Sequence, residues 1–211
     1  MVRLIIIRHG YSMGNKEKRF TGQGDLPLDE TGISQAASTA EYVLENYWVD
    51  SVYSSDLSRA VDTVKPIADA LGLPVHTCKD LREMDVGDWY GKQIGEVAEL
   101  FPESCAVYKN TPGLVRFDGG ESVAEVKERV LRAMDKIIAE NEGKTVVIGT
   151  HGGTIRTLQT AWKDLPLERM QEIPHVSNAS VTVVFYKNGK AEFIETGYNA
   201  HLTEITAQDG V

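Results

Sequence analysis

An α/β fold, a three-layer sandwich around a mostly parallel central sheet with an antiparallel edge, is what this sequence predicts. Three observations predict it. Short apolar, β-branched runs alternate with amphipathic helical stretches, as βαβ units require. The runs LIII at 4–7 and TVVIG at 145–149 are apolar nearly throughout, as strands buried on both faces are. Late in the chain, SVTVVFYKNGKAEFIET carries Asn188-Gly189 between two strand-like runs, which marks a β-hairpin with a type I′ turn and hence the antiparallel edge.

Taken in order, Leu4–Ile7 forms the first strand. Asp29 is placed to cap a helix running to about Asn46, with Ile33, Ala36, Ala37, Ala40, Val43 and Leu44 on one face. Ser51–Tyr53 is a short second strand. Asp56 is placed to cap the next helix, which carries Leu57, Ala60, Val61, Val64 and Ala68. Pro66 inside it invites a kink or a break, because proline lacks the N–H and crowds the preceding turn. Gly72 and Pro74 end that helix and open an extended piece at Val75–Thr77. From about 84 to 120, glycine, proline and aromatic residues break the pattern, and only Ile94–Leu100 reads as helix. This stretch is expected to be a helical and loop insertion lying over the domain. Ser122 and Glu125 form an S-x-x-E capping box before a strong amphipathic helix with Val123, Val126, Val130, Ala133, Met134 and Ile137 inward. The strand at 145–149, a short helix at Thr154–Ala161 and the hairpin follow. No internal repeat or low-complexity segment interrupts the chain, and residues 1–211 read as a single domain.

Composition narrows the function. At 42% hydrophobic and 25% charged over 211 residues, the chain can bury a substantial core. A formal charge of −9 argues against nucleic acid or an anionic membrane as partner, so an anionic ligand needs a locally positive pocket. Cys78 and Cys105 make neither a disulfide framework nor a metal motif. There is no H-E-x-x-H pair or Cys/His cluster, so neither a metal nor a cofactor is expected. The first apolar run is shorter than the roughly 7–15 residues of a signal-peptide core, and no stretch approaches the roughly 18 of a membrane span. A cytoplasmic location is expected.

In open α/β sheets, ligands bind beyond the carboxyl ends of the strands. Arg8 and His9 follow the first strand there. Ser54, Ser55 and Asp56 follow the second, with Arg59 in the next helical turn. Glu83 comes a few residues after Thr77, and His151, Gly152 and Gly153 follow the strand at 145–149. Two histidines, two arginines and one carboxylate therefore converge on one sheet edge, and Gly10 and Gly152 are placed to let backbone approach a ligand. Arginines donate bidentately to a tetrahedral oxyanion and stay charged. A histidine kept deprotonated beside them can attack phosphorus, with Glu83 protonating the leaving oxygen and later activating water.

The segments RHG, SSDLSRAVDTV, LREMDVGDWYG, GGES and THGGTIRTL, in that order from residue 3 to about 185, resemble the histidine phosphatase superfamily, also called phosphoglycerate mutase-like. The resemblance implies a phosphohistidine on His9, with Arg8, Arg59 and His151 forming the rest of the phosphate pocket. It implies contacts to substrate from Asn15 and, in KRFTGQGDLPLDETG, from Thr21 and Gly22. It makes Glu83 the proton donor, with Asp85 the next candidate. H-G-G after the late strand is similar to the branch of mutases and small phosphatases; the acid phosphatases and phytases carry His-Asp there. Two departures stand out. Tyr11 takes the place of the usual glutamate after R-H-G. Where mutases have a longer insertion with adjacent arginines binding the substrate carboxylate and second phosphate, residues 90–120 offer only Lys92, Lys109 and Arg116.

The function expected is a metal-independent phosphomonoesterase acting through phosphohistidine on a small phosphorylated metabolite. A phosphoglycerate mutase, returning the phosphoryl group to an acceptor instead of water, is the first alternative. An inactive module that only binds phosphorylated partners is the second. A homodimer is left open. His175 reads as structural more readily than as pocket lining, His76 and His201 as structural or exposed, Trp89 and Tyr90 as packing for the insertion, and Ser122 as a helix cap.

Overall fold

Strands apolar at every position must be covered on both faces, and a computed structural model of the chain, which describes residues 1–203, covers them so. In chain order the elements are β1 (Val2–Arg8), α1 (Met13–Glu17), α2 (Glu30–Asn46), β2 (Ser51–Ser54), α3 (Ser58–Leu71), β3 (Val75–Thr77), α4 (Ile94–Leu100), α5 (Pro102–Asn110), α6 (Val123–Glu140), β4 (Thr145–Thr150), α7 (Gly152–Trp162), β5 (Val181–Lys187) and β6 (Lys190–Tyr198). The strands form one six-stranded sheet in the order β3-β2-β4-β1-β5-β6. β3, β2, β4 and β1 are parallel, while β5 and β6 add the antiparallel edge. Asn188 and Gly189 both have positive φ, 51° and 76°, as the type I′ turn demands.

Successive side chains of β1 feed opposite cores. Leu4 and Ile6 pack with Val126, Val130 and Met134 of α6 and Ile155 and Leu158 of α7. Ile5 and Ile7 pack with Ala40 and Val43 of α2 and Val64 and Ile67 of α3. The alternation follows from the two-residue period of a strand and yields the three layers.

Three local expectations need correction. Asp29 does cap α2, accepting from the Gly32 N–H at 3.0 Å. The helix is nonetheless rotated so that Gly32, Gln35, Ala36, Thr39, Ala40 and Val43 face inward, leaving Ile33 62% exposed and Ala37 exposed. The cause is a backbone approach: a Cβ on Gly10 would stand 2.7 Å from the Gly32 carbonyl oxygen. Gly10 therefore serves the packing of α2 rather than a ligand. Asp56 does not cap α3. Its carboxylate is held bidentately by Arg82 at 2.6 and 2.7 Å, a charged fork that a single amide cannot match. Asp25, from the loop between α1 and α2, takes the Ser58 N–H and hydroxyl instead, at 2.8 and 2.7 Å. α3 also runs unbroken through Pro66, with Val64, Ile67 and Ala68 packed on the sheet at either side.

The insertion holds more helix than its sequence pattern suggests. Besides α4, Pro102 opens α5 at its first turn, where a missing N–H costs nothing. Both rest on a third cluster centred on Trp89, which has no exposed surface and meets Phe20, Tyr108 and Phe117 edge-on. The Trp89 indole N–H donates to Asp118 at 3.2 Å. Truncating such an aromatic typically costs about 3–5 kcal/mol, so Trp89 anchors the insertion over the sheet edge. Tyr90 instead stays 52% exposed. Ser122 caps α6 with the reciprocal Glu125 contacts.

Candidate active site

β1, β2 and β4 end level with one another. Arg8 pairs with Thr150, and Ser54 with Gly149, so His9, Ser55 and His151 are the first residues beyond the sheet. Above them opens a cleft whose walls include Arg8, His9, Asn15, Thr21, Gly22, Arg59, Glu83 and Gly153.

His9 is 5% exposed. Its Nδ1 lies 2.8 Å from the Gly10 carbonyl oxygen, so Nδ1 carries the hydrogen and Nε2 keeps its lone pair. Burial, then the guanidiniums of Arg59 and Arg8, hold the ring well below the ordinary histidine range and therefore neutral. Arg59, 1% exposed, donates from Nη1 to the Gly24 carbonyl at 2.7 Å and from Nη2 to the Gly22 carbonyl at 2.8 Å. Thus Gly22 reaches the site partly as the carbonyl that orients Arg59. Burial lowers Arg59 to about 10, which leaves it charged at neutral pH. Arg8 donates from Nη1 to the Val176 carbonyl at 2.7 Å.

His151 lies fully buried one layer behind, its ring centroid 5.1 Å from that of His9. Its Nε2 is 2.9 Å from the Ser55 hydroxyl, while Nδ1 has no partner among the described residues. Burial, with Arg59 and then His9 adding to it, also holds it well below the usual range. A Cβ on Gly152 would approach Arg8 Nε at 3.2 Å, so Gly152 packs against that guanidinium, and it is Gly153 that lines the cleft.

Glu83 is half-buried opposite. Oε2 accepts from the Gly153 N–H at the start of α7 at 3.0 Å and Oε1 from the Met84 N–H of its own loop at 2.9 Å, which fixes both oxygens. Asn15 turns its side-chain oxygen inward, accepting from Ser12 N and Oγ and from Asn178 Nδ2. Its NH₂ group is the end left for a ligand.

Asn178, Arg129 and Arg156 shape the site and escaped sequence reasoning, and Ser55 and His175 take parts it did not assign them. Asn178 donates to the His9 carbonyl at 3.0 Å and to Asn15 at 3.2 Å, joining the two ends of the chain beneath the site. Ser55 holds His151. Arg129 donates to the carbonyls of Asp80, Arg82 and Glu83 at 2.8–2.9 Å and pairs with Glu121, which shapes the loop that carries Glu83. Arg156 and His175 line the far wall. Two signals were readable: Arg129 interrupts the apolar stripe of α6, and Arg156 stands three residues after Gly153 on a helix. Tyr11 is not among the lining residues; its amide donates to Gln35 at 2.8 Å and its carbonyl accepts from the Asp29 N–H, so its backbone ties β1 to α2. His76 packs on Tyr53 and His201 on Tyr42, away from the cleft.

Two fixed guanidiniums around a neutral imidazole, with a carboxylate opposite, can bind a phosphate dianion, accept its phosphoryl group on nitrogen and exchange a proton with the departing oxygen. Among the described residues, no group of three or more His, Cys, Asp or Glu is arranged to hold a metal ion, and no helix is long and apolar enough to cross a membrane.

The chain is similar to known proteins over nearly its whole length. The family model described as "Histidine phosphatase superfamily (branch 1)" matches residues 4–199. Phosphoserine phosphatase 1 of Hydrogenobacter thermophilus is 31% identical, over 97% of this chain and 96% of that protein. A metal-independent phosphoserine phosphatase of Arabidopsis thaliana is 32% identical, over 97% of this chain and 85% of that protein. The structure of YhfR from Bacillus stearothermophilus superposes with a TM-score of 0.91 at 31% identity, covering 96% of this chain and 100% of that one.

Proposed function

The chain belongs to the histidine phosphatase superfamily, and from that premise we propose that His9 takes the phosphoryl group of a small phosphomonoester and passes it to water. The chain is a phosphatase; the residue roles are the substance of the proposal. In the first step His9 Nε2 forms a bond to phosphorus as the bond to the ester oxygen breaks, and Glu83 gives that oxygen its proton. In the second, the Glu83 carboxylate takes a proton from water, the water oxygen attacks phosphorus, and the N–P bond breaks to release phosphate and restore His9. Arg8 and Arg59 hold the equatorial oxygens throughout, with Asn15, Thr21, Gly22, His151 and Gly152 completing or supporting the pocket.

One observation carries this reading: the 2.8 Å contact of His9 Nδ1 with the Gly10 carbonyl, which leaves the His9 Nε2 lone pair unprotonated in a cleft lined by Arg8, Arg59 and Glu83. A second observation favours water over an organic acceptor. The insertion reaches the cleft only with apolar or aromatic side chains such as Tyr108, Pro112, Val115 and Phe117. Lys92 and Arg116 are turned to Asp88, and to Gly120 and Glu125, respectively. The mutase reading therefore finds no acceptor-binding cation in Lys92 or Arg116 of the insertion, and the binding-only reading leaves the presence of both His9 and Glu83 in the cleft unexplained. We further propose a cytoplasmic enzyme with a small phosphorylated partner, engaging neither nucleic acid nor membrane; the net charge of −9 and two free cysteines support this.

The test is rapid-quench labelling with a ³²P-labelled alkyl phosphate in excess chelator. Acid-labile, base-stable phosphate should appear on the peptide containing His9, and His9→Ala should abolish both label and turnover. Label on His151, or turnover restored only by a metal ion, would overturn the assignment.

A further inference from the structure

We infer that Arg156, set by His175, forms a second anion subsite, and that the alcohol released by this enzyme carries a carboxylate; this rests on the phosphomonoesterase reading above.

Sorting the charges in the cleft leads to it. Four guanidiniums line the walls, those of Arg8, Arg19, Arg59 and Arg156, and Glu83 is the acidic residue beside them. A phosphate dianion matches Arg8 and Arg59. Arg19 is matched by Glu17 and Glu96, at 3.4 and 3.7 Å. Arg156 has no carboxylate partner among the described residues, although it is half-buried. In a chain of net charge −9, one half-buried cation left without an acid and facing a ligand cleft is a site waiting for an anion.

Its geometry is also prepared. Arg156 Nε donates to the Ile173 carbonyl at 2.8 Å, and Nη1 lies 2.8 Å from His175 Nε2. A guanidinium only donates, so His175 must accept and must be neutral. Burial and Arg156 itself hold His175 down to about 4. Two of the three guanidinium nitrogens are thus committed, which orients the plane and leaves Nη2 to donate. Arg156 follows Gly153 by three residues on α7, so the two share a helix face about 5 Å apart. The Gly153 amide holds Glu83. Arg156 and the amide that holds Glu83 therefore share one wall of the cleft, the wall of the group that protonates the leaving oxygen.

A carboxylate fits better than a second phosphate. The neighbouring walls come from Tyr108, Pro112, Val115 and Met170, which offer little to solvate a dianion. One guanidinium neutralises one negative charge; a second phosphate would leave charge uncompensated against apolar surface.

The experiment compares matched substrates. The probes are 3-phosphonooxypropanoate and 4-(phosphonooxymethyl)benzoate, each beside its primary amide, with a bisphosphate of the benzyl compound as a third arm. Charge-assisted contacts of this kind predict a kcat/KM for the acids roughly 10- to 100-fold above that for the amides. Arg156→Met should bring the acid-to-amide ratio close to one, and Arg156→Lys should restore part of it. Equal turnover of acid and amide by the wild-type enzyme, an unchanged ratio in Arg156→Met, or a preference for the bisphosphate over the acid would overturn the inference. The wild-type comparison needs no variant to fold. Nitrophenyl phosphate hydrolysis by the wild type separates the two levels: its absence sinks the phosphatase reading, whereas its presence without acid selectivity sinks only the subsite.

Discussion

Gly153→Ala tests the role of Glu83 without touching Glu83. A Cβ built on Gly153 would lie 2.6 Å from Glu83 Oε1 and 2.8 Å from the Met84 methyl carbon. An ordinary contact is about 3.4 Å, so the carboxylate must retreat by about 0.8 Å or swing away. Both obstructing atoms end flexible side chains, so the fold can yield cheaply. Alanine also suits a helical backbone better than glycine by up to about 1 kcal/mol. Stability should therefore hold or rise slightly, while catalysis suffers. Misplacing a reacting group by ~1 Å costs on the order of 10²-fold, within the ~10²–10⁴ that general acid catalysis supplies. That loss should fall on alkyl phosphates, whose alkoxide needs a proton to leave. Nitrophenyl phosphate, whose phenolate departs unaided, should lose less than about threefold. The assay is kcat/KM for both esters alongside thermal melting. An equal loss for the two esters in a well-folded variant would mean that the whole pocket moved, and no loss for either would remove Glu83 as the acid, with Asp85 the next residue to examine.

Two other outcomes follow from the same structure. Arg59→Lys should cut kcat by roughly 10²-fold, because one ammonium cannot both satisfy the Gly22 and Gly24 carbonyls and grip phosphate bidentately; steady-state kinetics near wild type would place Arg59 outside the reaction. Acid should destabilise the fold earlier than carboxylate protonation explains. His9, His151, His175 and His201 all titrate lower in the folded chain than the ordinary histidine value. The unfolded chain then binds protons that the folded chain refuses. Stability is complete above about pH 6.5 and falls as pH drops toward the folded values, by up to ~1.4 kcal/mol per pH unit for each histidine. Urea midpoints at pH 7.0 and 5.5 measure this, and a midpoint that rises on acidification would refute it.

What the sequence disclosed and what it hid divide along a physical line. The all-apolar runs of β1 and β4, the Asn188-Gly189 turn and the Ser122–Glu125 box are local, and each was legible. So was the gathering of Arg8, His9, Arg59, Glu83 and His151, since strand ends in a parallel sheet share one edge. Contacts joining distant segments were not. Nothing near Asn178 announces that its amide seats the His9 carbonyl, and nothing near Asp25 announces that it caps α3. The rotation of α2, which exposes Ile33, depends on a backbone contact between Gly10 and Gly32 that no periodicity encodes. Arg129 and Arg156 stood in plain view as charges at helix positions that face inward.

The place of β1 in the sheet also sets a schedule. Its neighbours are β4 and β5, so Val2–Arg8 is synthesised well before either of its partners. At about 5–20 residues per second, that wait is on the order of 10 seconds. Throughout it, Leu4–Ile7 is an unpaired apolar ribbon of the kind that holdase chaperones bind. A nascent chain halted before Asn178 would carry His9 and Arg8 with nothing to seat them. Enzyme activity should therefore arrive only once Asn178 and the β5–β6 hairpin are free to dock on β1.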